Sequence, residues 1–186
     1  MAPEIRAPVS VEEFWCLAHR LPRAELVGGQ VIELVPSGVR HGVMALTLAR
    51  RVDQYVAENS LGIVMVDAGF ILSTDPPTVR GPDIAVVLHP RVPSPLPVAF
   101  FPGPPDLAIE VLSPDDRPSE VAAKVTDYLR AGTQALWVVD AQHQTLTAHT
   151  QGGATTYRRE ETLRGEPPLP EFELPLWELF APADQS

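Results

Sequence analysis

Three charged residues in this sequence are of the types that metal-dependent chemistry on a phosphate ester would need. Asp83 comes directly before the apolar run IAVVL, Glu110 lies inside the apolar run LAIEVL, and Lys124 follows on a predicted helix. Acids are rare in buried strands unless they are paired or bind a cation. The two carboxylates therefore predict either a metal site or an Asp–Lys or Glu–Lys ion pair that fixes a helix to a sheet.

The spacing of the acids decides which of them can act together. Asp106 shares a strand face with Glu110, but four residues at about 3.3 Å each separate them by roughly 13 Å, too far to share an ion. Asp83 comes from a neighbouring predicted strand and can lie next to Glu110. With a strand carbonyl such as that of Val111, the two carboxylates would form an oxygen-rich site suited to Mg²⁺ or Mn²⁺. An ion there could activate water and offset charge on a phosphodiester.

Lys124 is the only lysine among the fourteen Lys and Arg residues of the chain. Arginine could serve wherever only a surface charge is needed, whereas a compact ammonium with an adjustable pKa cannot be replaced by it. We predict that Lys124 supplies a positive charge near the attacking water or the transition-state phosphate. The alternative is a solvated lysine that pairs with Glu120, four residues earlier on the same helix surface.

The elements that would position these residues follow the order helix, hairpin, helix, strands, helix, strands. This order predicts an α/β domain with a central mixed sheet flanked by helices. The predicted elements are a helix from the capping box Ser10/Glu13 to near Pro22, a hairpin in AELVGGQVIEL, a helix over 41–58, strands over 63–66, 69–72 and IAVVL, a strand over 106–112, a helix capped by Ser119 and ended by Gly132, and strands over ALWVVD, 145–150 and 155–158. We expect the apolar segment 167–180 to cover an edge.

The proline-rich loop over 89–105 leaves Val98, Phe100 and Phe101 in need of a partner. We expect ordinary packing over the core, and the alternatives are a lid or a homodimer contact.

Length and composition limit the remaining possibilities. A chain of 186 residues predicts one domain over 1–186, and its net charge of -10 argues against indiscriminate nucleic-acid binding. Cys16 is the only cysteine, which favours a reducing compartment. The segment MAPEIRAPVS has no apolar signal region and no run reaches eighteen apolar residues, so we expect neither secretion nor a membrane span, and a cytoplasmic location.

Taken together, these motifs resemble the Uma-two family of restriction endonucleases, within the PD-(D/E)XK nuclease superfamily. The resemblance covers most of the chain, and IEVLSP with a downstream lysine and tyrosine is its most specific part. The matching segments are AELVGGQVIEL, His41, Gly81-Pro82-Asp83, PDLAIEVLSPDD, Lys124, Tyr128, ALWVVD and LPLWELF.

The resemblance implies a restriction endonuclease-like α+β fold and Mg²⁺-dependent hydrolysis of DNA. It makes Asp83 and Glu110 the metal-binding acids and Lys124 the catalytic lysine, with Glu25 and His41 as accessory groups. The superfamily's E-x-K spacing is absent, because the second residue after Glu110 is leucine, and a lysine on the next helix would have to reach the same point.

Three questions stay open at this level. A histidine such as His41 at a helix start is more often a capped or solvent-facing residue than a ligand. The pair at 50–51, Arg80 and Arg117 could contact phosphate. The protein could also be a catalytically inactive scaffold or interaction protein with a nuclease-like fold, in which case its carboxylates would bind no metal.

Overall fold

The computed structural model describes residues 8–18, 20, 21 and 23–181. The predicted end of the first helix near Pro22 and most of the N-terminal segment MAPEIRAPVS, residues 1–7, lie outside the described residues. None of the helices in the described part of the chain combines the length and the apolar character that crossing a membrane requires.

The described residues form four α-helices, one 3₁₀ turn and thirteen strands. The helices are α1 (Val11–Ala18), α2 (Val39–Glu58), α3 (Pro118–Ala131) and α4 (Leu176–Phe180), and the 3₁₀ turn is His89–Arg91. The strands are β1 (Ala24–Val27), β2 (Gln30–Glu33), β3 (Gly62–Val66), β4 (Phe70–Thr74), β5 (Pro77–Arg80), β6 (Ile84–Leu88), β7 (Phe101–Pro102), β8 (Leu107–Val111), β9 (Ala135–Asp140), β10 (Thr145–Thr150), β11 (Gly153–Arg158), β12 (Thr162–Arg164) and β13 (Glu173–Pro175).

Local sequence signals account for several of these boundaries. The capping box is formed as predicted, because the Ser10 and Glu13 backbone N–H groups each donate to the other residue's side chain at 2.9 and 3.1 Å. Gly28 and Gly29 both have positive φ, which the tight turn between β1 and β2 requires. Gly132 ends α3 in the left-handed conformation at φ 109°.

The strands form two mixed sheets and a small ribbon, so the mixed α/β class is confirmed while the strands divide more finely than into one sheet. A five-stranded sheet has the order β2-β1-β5-β4-β7, and a six-stranded sheet has the order β11-β10-β9-β8-β6-β3. The strands β8 and β9 run parallel, and β8 pairs antiparallel with β6 on its other side. The ribbon consists of β12 and β13.

The six-stranded sheet is covered on both faces, which explains why β6 and β8 are continuously apolar apart from Glu110. On one face α2 and the segment after β12 form the largest core with Ile84, Val86, Leu107 and Ile109. On the other face α3 packs against Ala108 and its neighbours on β9. The C-terminal segment was expected only to cover an edge. Its apolar residues instead form part of the largest core, so it contributes more to the fold than the sequence predicts.

One local expectation is wrong, and the expected packing of the proline-rich loop over the core is confirmed for its two phenylalanines. The N-cap of α3 is Arg117 and not Ser119, because Pro118 already occupies the first helical position, where a missing N–H costs nothing. Phe101 is buried in β7 against Phe70, and Phe100 stacks on Phe14, so this part of the loop packs on the chain itself, while Val98 stays exposed. A dimer contact therefore has no support from the two phenylalanines.

Candidate active site

The pairing of β6 with β8 sets the two predicted metal-binding acids side by side. Ile84 lies opposite Ile109 in this antiparallel pair, so the next facing positions are Asp83 and Glu110. Facing residues of an antiparallel pair point to the same side of the sheet, with Cα atoms about 4.5–5.5 Å apart. Asp83 also accepts a hydrogen bond from the Val111 N–H at 2.7 Å, which ties its carboxylate to the end of β8.

Helix α3 brings Lys124 and Tyr128 to Glu110. The two residues are four apart and share the helix face that packs on the six-stranded sheet. The Lys124 ammonium donates to Glu110 Oε2 at 2.7 Å, and the Tyr128 hydroxyl donates to Oε1 at 3.2 Å. Lys124 thus pairs with the sheet and not with the helix surface, and the Glu–Lys ion pair expected under the structural alternative is present.

Asp83 contacts the His41 imidazole and the Arg23 guanidinium as well as the β8 backbone. His41 Nε2, from the first turn of α2, lies 3.1 Å from Oδ2, and Arg23 Nη2 lies 3.3 Å from Oδ1. Burial by itself would raise the pKa of Asp83, but the hydrogen bonds from His41 and Val111, with the charges of His41 and Arg23, lower it below its ordinary value. The hydrogen bond to Asp83 raises the pKa of His41 in return, against the effect of burial.

Glu25 belongs to a second set of contacts beside the two acids. It is only 2% exposed on β1 and accepts from Arg80 Nη1 at 2.7 Å and from the Gly81 N–H at 3.1 Å. Arg80 also donates to Asp127 on α3 through Nε and Nη2, at 3.1 and 2.6 Å. The guanidinium expected as a phosphate contact is therefore held by two carboxylates.

All six residues expected at the site line a single cleft of about 500 Å³: Glu25, His41, Asp83, Glu110, Val111 and Lys124. Its other charged residues are mostly acidic: Glu33, Asp115, Asp116 and Glu120 against Arg23 and Arg80. Arg23, Arg80 and Lys124 are each paired with at least one carboxylate. The cleft consequently has an excess of negative charge, which favours a cation over an unaccompanied phosphate.

Comparison with known proteins identifies the family. The Uma2 family model, described as "Putative restriction endonuclease", matches residues 11–179. The chain belongs to this family. Among solved structures, the chain is similar to the crystal structure of "a putative nuclease belonging to DUF820" from Anabaena variabilis, with a TM-score of 0.79, 22% sequence identity, and coverage of 94% of this chain and 98% of that one. None of the curated proteins matches the chain.

These findings confirm the family and the fold expected from the sequence. At 22% identity the Anabaena variabilis protein is evidence for the fold alone. Any role of an individual residue of this chain has to be argued from the geometry of the cleft.

The electrostatics of Glu110 are the most unusual in this Uma2 site. Burial, with a further contribution from Glu25 and Asp83, raises its pKa from 4.5 to about 7, although the Lys124 charge acts in the opposite direction. Glu110 and Glu25 in turn raise the pKa of Lys124 despite its burial, so the ammonium is charged at neutral pH. The ionised form of Glu110 is unfavourable because the group is buried beside other acids. A cation bound next to Glu110 would stabilise that ionised form.

The donors fit a hard divalent ion. Among the residues that the structure describes, no group of three or more His, Cys, Asp or Glu side chains is placed to hold a metal ion. Mg²⁺ is commonly bound by only one or two carboxylates with water and substrate oxygens completing the shell. Asp83, Glu110 and the Val111 carbonyl match that donor set.

Sequence reasoning missed Arg23, Asp127 and the positioning contacts of Arg80. Nothing in the local sequence marks them, because each finds its partner on another strand or helix. Tyr128 carried a signal, since it lies one helical turn after Lys124 and belongs to the motif that resembles the Uma2 family.

Proposed function

We propose that this protein is a metal-dependent endonuclease that hydrolyses DNA phosphodiester bonds, with Asp83, Glu110 and the Val111 carbonyl as ligands of Mg²⁺ or Mn²⁺. The observation that carries the proposal is that the only lysine of the chain bonds to one of two facing buried acids, in a family described as "Putative restriction endonuclease". Neither acid lies in a position where an ordinary apolar strand would carry one.

The bound ion would polarise the phosphate and lower the pKa of a water molecule. Asp83 and Glu110 would orient that ion from two neighbouring strands. Lys124, held at Glu110 Oε2, would have its ammonium beside the phosphate, where it stabilises the charge that develops in the transition state. His41 and Glu25 would act as accessory groups, since His41 holds Asp83 directly and Glu25 holds Arg80.

The test is Mg²⁺-dependent cleavage of plasmid and linear DNA by the wild type and by Asp83→Asn, Glu110→Gln and Lys124→Ala. Glu33→Gln is the matched control, because Glu33 is an acid of the same cleft outside the proposed ligand set. We expect the three site variants to lose cleavage and the control to keep it. Equal cleavage by all five proteins would exclude this site as the source of the activity.

One observation favours a second candidate, a nuclease-like scaffold without catalysis. In the part of the cleft that the structure describes, Arg23, Arg80 and Lys124 are all paired with acids, so the DNA backbone would have to bind largely through the metal. The scaffold predicts that the cleft binds no divalent ion. Calorimetric titration with Mn²⁺ separates the two candidates: binding that Glu110→Gln abolishes supports the nuclease, and absence of binding by the wild type supports the scaffold.

Three further expectations remain predictions. A single domain over 1–186, a cytoplasmic location and a homodimer are not required by the proposed chemistry. The homodimer has lost the two phenylalanines as its basis, and sedimentation would decide it.

A further inference from the structure

The position of Lys124 depends on how α3 docks, because the two acids come from strands while the lysine comes from a helix. The apolar side of this docking consists of Val121 and Val125 against Ala108, Leu136 and their neighbours. Apolar burial is non-directional, so it favours the packing of α3 on the sheet but does not set the rotation or the shift of the helix by itself.

A directional contact is supplied by Arg80 at the end of β5. Its Nε and Nη2 donate to Asp127 Oδ2 of α3, and its Nη1 donates to Glu25 of β1 at 2.7 Å. Asp127 lies three residues after Lys124, on the same side of the helix. The pair of Arg80 with Glu25 is buried on both sides, whereas the Asp127 side chain is 29% exposed, so its pair with Arg80 is only partly protected from the screening that weakens surface pairs.

We propose that Arg80 is a positioning residue that fixes α3 through Asp127, and thereby sets the Lys124 ammonium against Glu110. The planar guanidinium donates to two carboxylates in fixed directions, so it adds a directional link between the five-stranded sheet and α3, a helix whose apolar side contacts Leu72 of that sheet as well as the six-stranded sheet. Three of the five N–H groups of Arg80 are used in these bonds, which favours a positioning role over phosphate binding. We call these contacts of Arg80 with Glu25 and Asp127 the clamp. Because β8 lacks the E-x-K spacing, the lysine beside Glu110 comes from a helix, and the clamp fixes the position of that helix.

The test uses Asp127 because replacing Arg80 would leave Glu25 buried without a partner and could unfold the protein. Asp127→Ala removes the helix side of the clamp, and Asp127→Asn keeps an oxygen that accepts from Arg80. Thr126→Ala is the matched control, since Thr126 is the adjacent residue and its hydroxyl donates only within α3, to the Ala122 carbonyl.

The first readout does not depend on catalysis. Labelling with ¹⁵N-lysine gives a single side-chain signal, because Lys124 is the only lysine. We expect the ammonium signal of the wild type, Asp127→Asn and Thr126→Ala to show slow proton exchange, owing to the bond to Glu110. In Asp127→Ala the signal should shift towards that of a solvated lysine, with faster exchange.

The second readout is cleavage, and this part rests on the proposed function. A displacement of about 1 Å at a reacting group can cost on the order of 100-fold in rate, so we expect kcat of Asp127→Ala to fall by about that factor with KM unchanged. Asp127→Asn should restore most of the rate.

The outcomes separate the two proposals. A folded Asp127→Ala protein whose Lys124 signal matches the wild type would refute the positioning role, whatever the cleavage result. A shifted signal in a protein whose wild type does not cleave DNA would uphold the positioning role and refute the nuclease. If Asp127→Ala does not fold, Asp127→Asn and Arg80→Lys decide, because Arg80→Lys keeps the charge but loses the fork and should shift the signal.

Discussion

The raised pKa of Glu110 makes the stability of the metal-free protein depend on pH in a direction opposite to that of most carboxylates. Burial, supported by Glu25 and Asp83, raises the pKa from 4.5 to about 7. The folded protein therefore binds a proton at Glu110 between these two pH values, where the unfolded chain has already lost it. The contribution of this group to the free energy of unfolding is largest below pH 4.5 and is lost as the pH rises to about 7.

The size of the effect follows from the shift. A difference of about 2.5 units at 1.36 kcal/mol per unit corresponds to about 3 kcal/mol. Glutamine has nearly the shape of the protonated acid and does not titrate. The free energy of unfolding of the wild type minus that of Glu110→Gln should therefore fall by about 3 kcal/mol between pH 4.5 and 7, and stay constant above it.

Urea unfolding in the presence of EDTA, followed by circular dichroism across this pH range, measures that difference. His41 and Asp83 are present in both proteins, so their titration largely cancels. A difference that is constant, or that grows with pH, would refute the reasoning, because Lys124 would then dominate and Glu110 would be ionised throughout. Above pH 7, Mg²⁺ should restore stability to the wild type and not to Glu110→Gln, while Glu33→Gln should respond as the wild type does.

Three further predictions concern Lys124, His41 and Gly62. Lys124→Ala should lower single-turnover cleavage by about 100- to 1000-fold while leaving calorimetric Mn²⁺ affinity near that of the wild type, and a loss of metal binding would contradict its separate role. The hydrogen bond to Asp83 raises the pKa of His41 above 6.5, so the stabilisation by this pair is present below pH 6.5 and is lost as the pH rises through the folded pKa. The difference in unfolding free energy between the wild type and His41→Gln should therefore shrink over that rise. A difference that does not depend on pH would argue against the pair with Asp83. Gly62→Ala should cost about 1–3 kcal/mol in urea unfolding because its Cβ would lie 2.0 Å from the Val87 carbonyl oxygen, whereas Gly42→Ala, with open space around it, serves as the control that should not destabilise α2.

Much of the candidate site could be predicted because acids are rare in buried strands and two of them occur here. Asp83 and Glu110 stand out against apolar strands, and Lys124 stands out against thirteen arginines, so residue type alone carried the signal. The local elements were predictable for a similar reason, since the capping box at Ser10 and the glycine pair at 28–29 act over two to four residues.

The unpredicted parts depend on contacts between distant segments. The bond of Arg80 to Glu25 joins residues 55 positions apart, and its bond to Asp127 joins residues 47 apart. The helix and strand periodicities of a sequence relate only residues a few positions apart, so they do not predict such a pair. The division into two sheets was missed in the same way, because β5 and β7 are short and proline-containing, and strand pairing, not composition, assigns them to a sheet.

The contribution of the segment after β12 to the main core has a consequence for how the protein is made. Leu169, Phe172 and Leu174 on this segment pack in the same core as Ile84 and Ile109, whose strands carry the two acids. A ribosome releases the chain from its N-terminus, so both acid-bearing strands emerge well before the residues that cover them. The core that supports these two strands is therefore complete only when residue 180 has emerged, and a shorter nascent chain would carry the two acids on a sheet that is not yet covered.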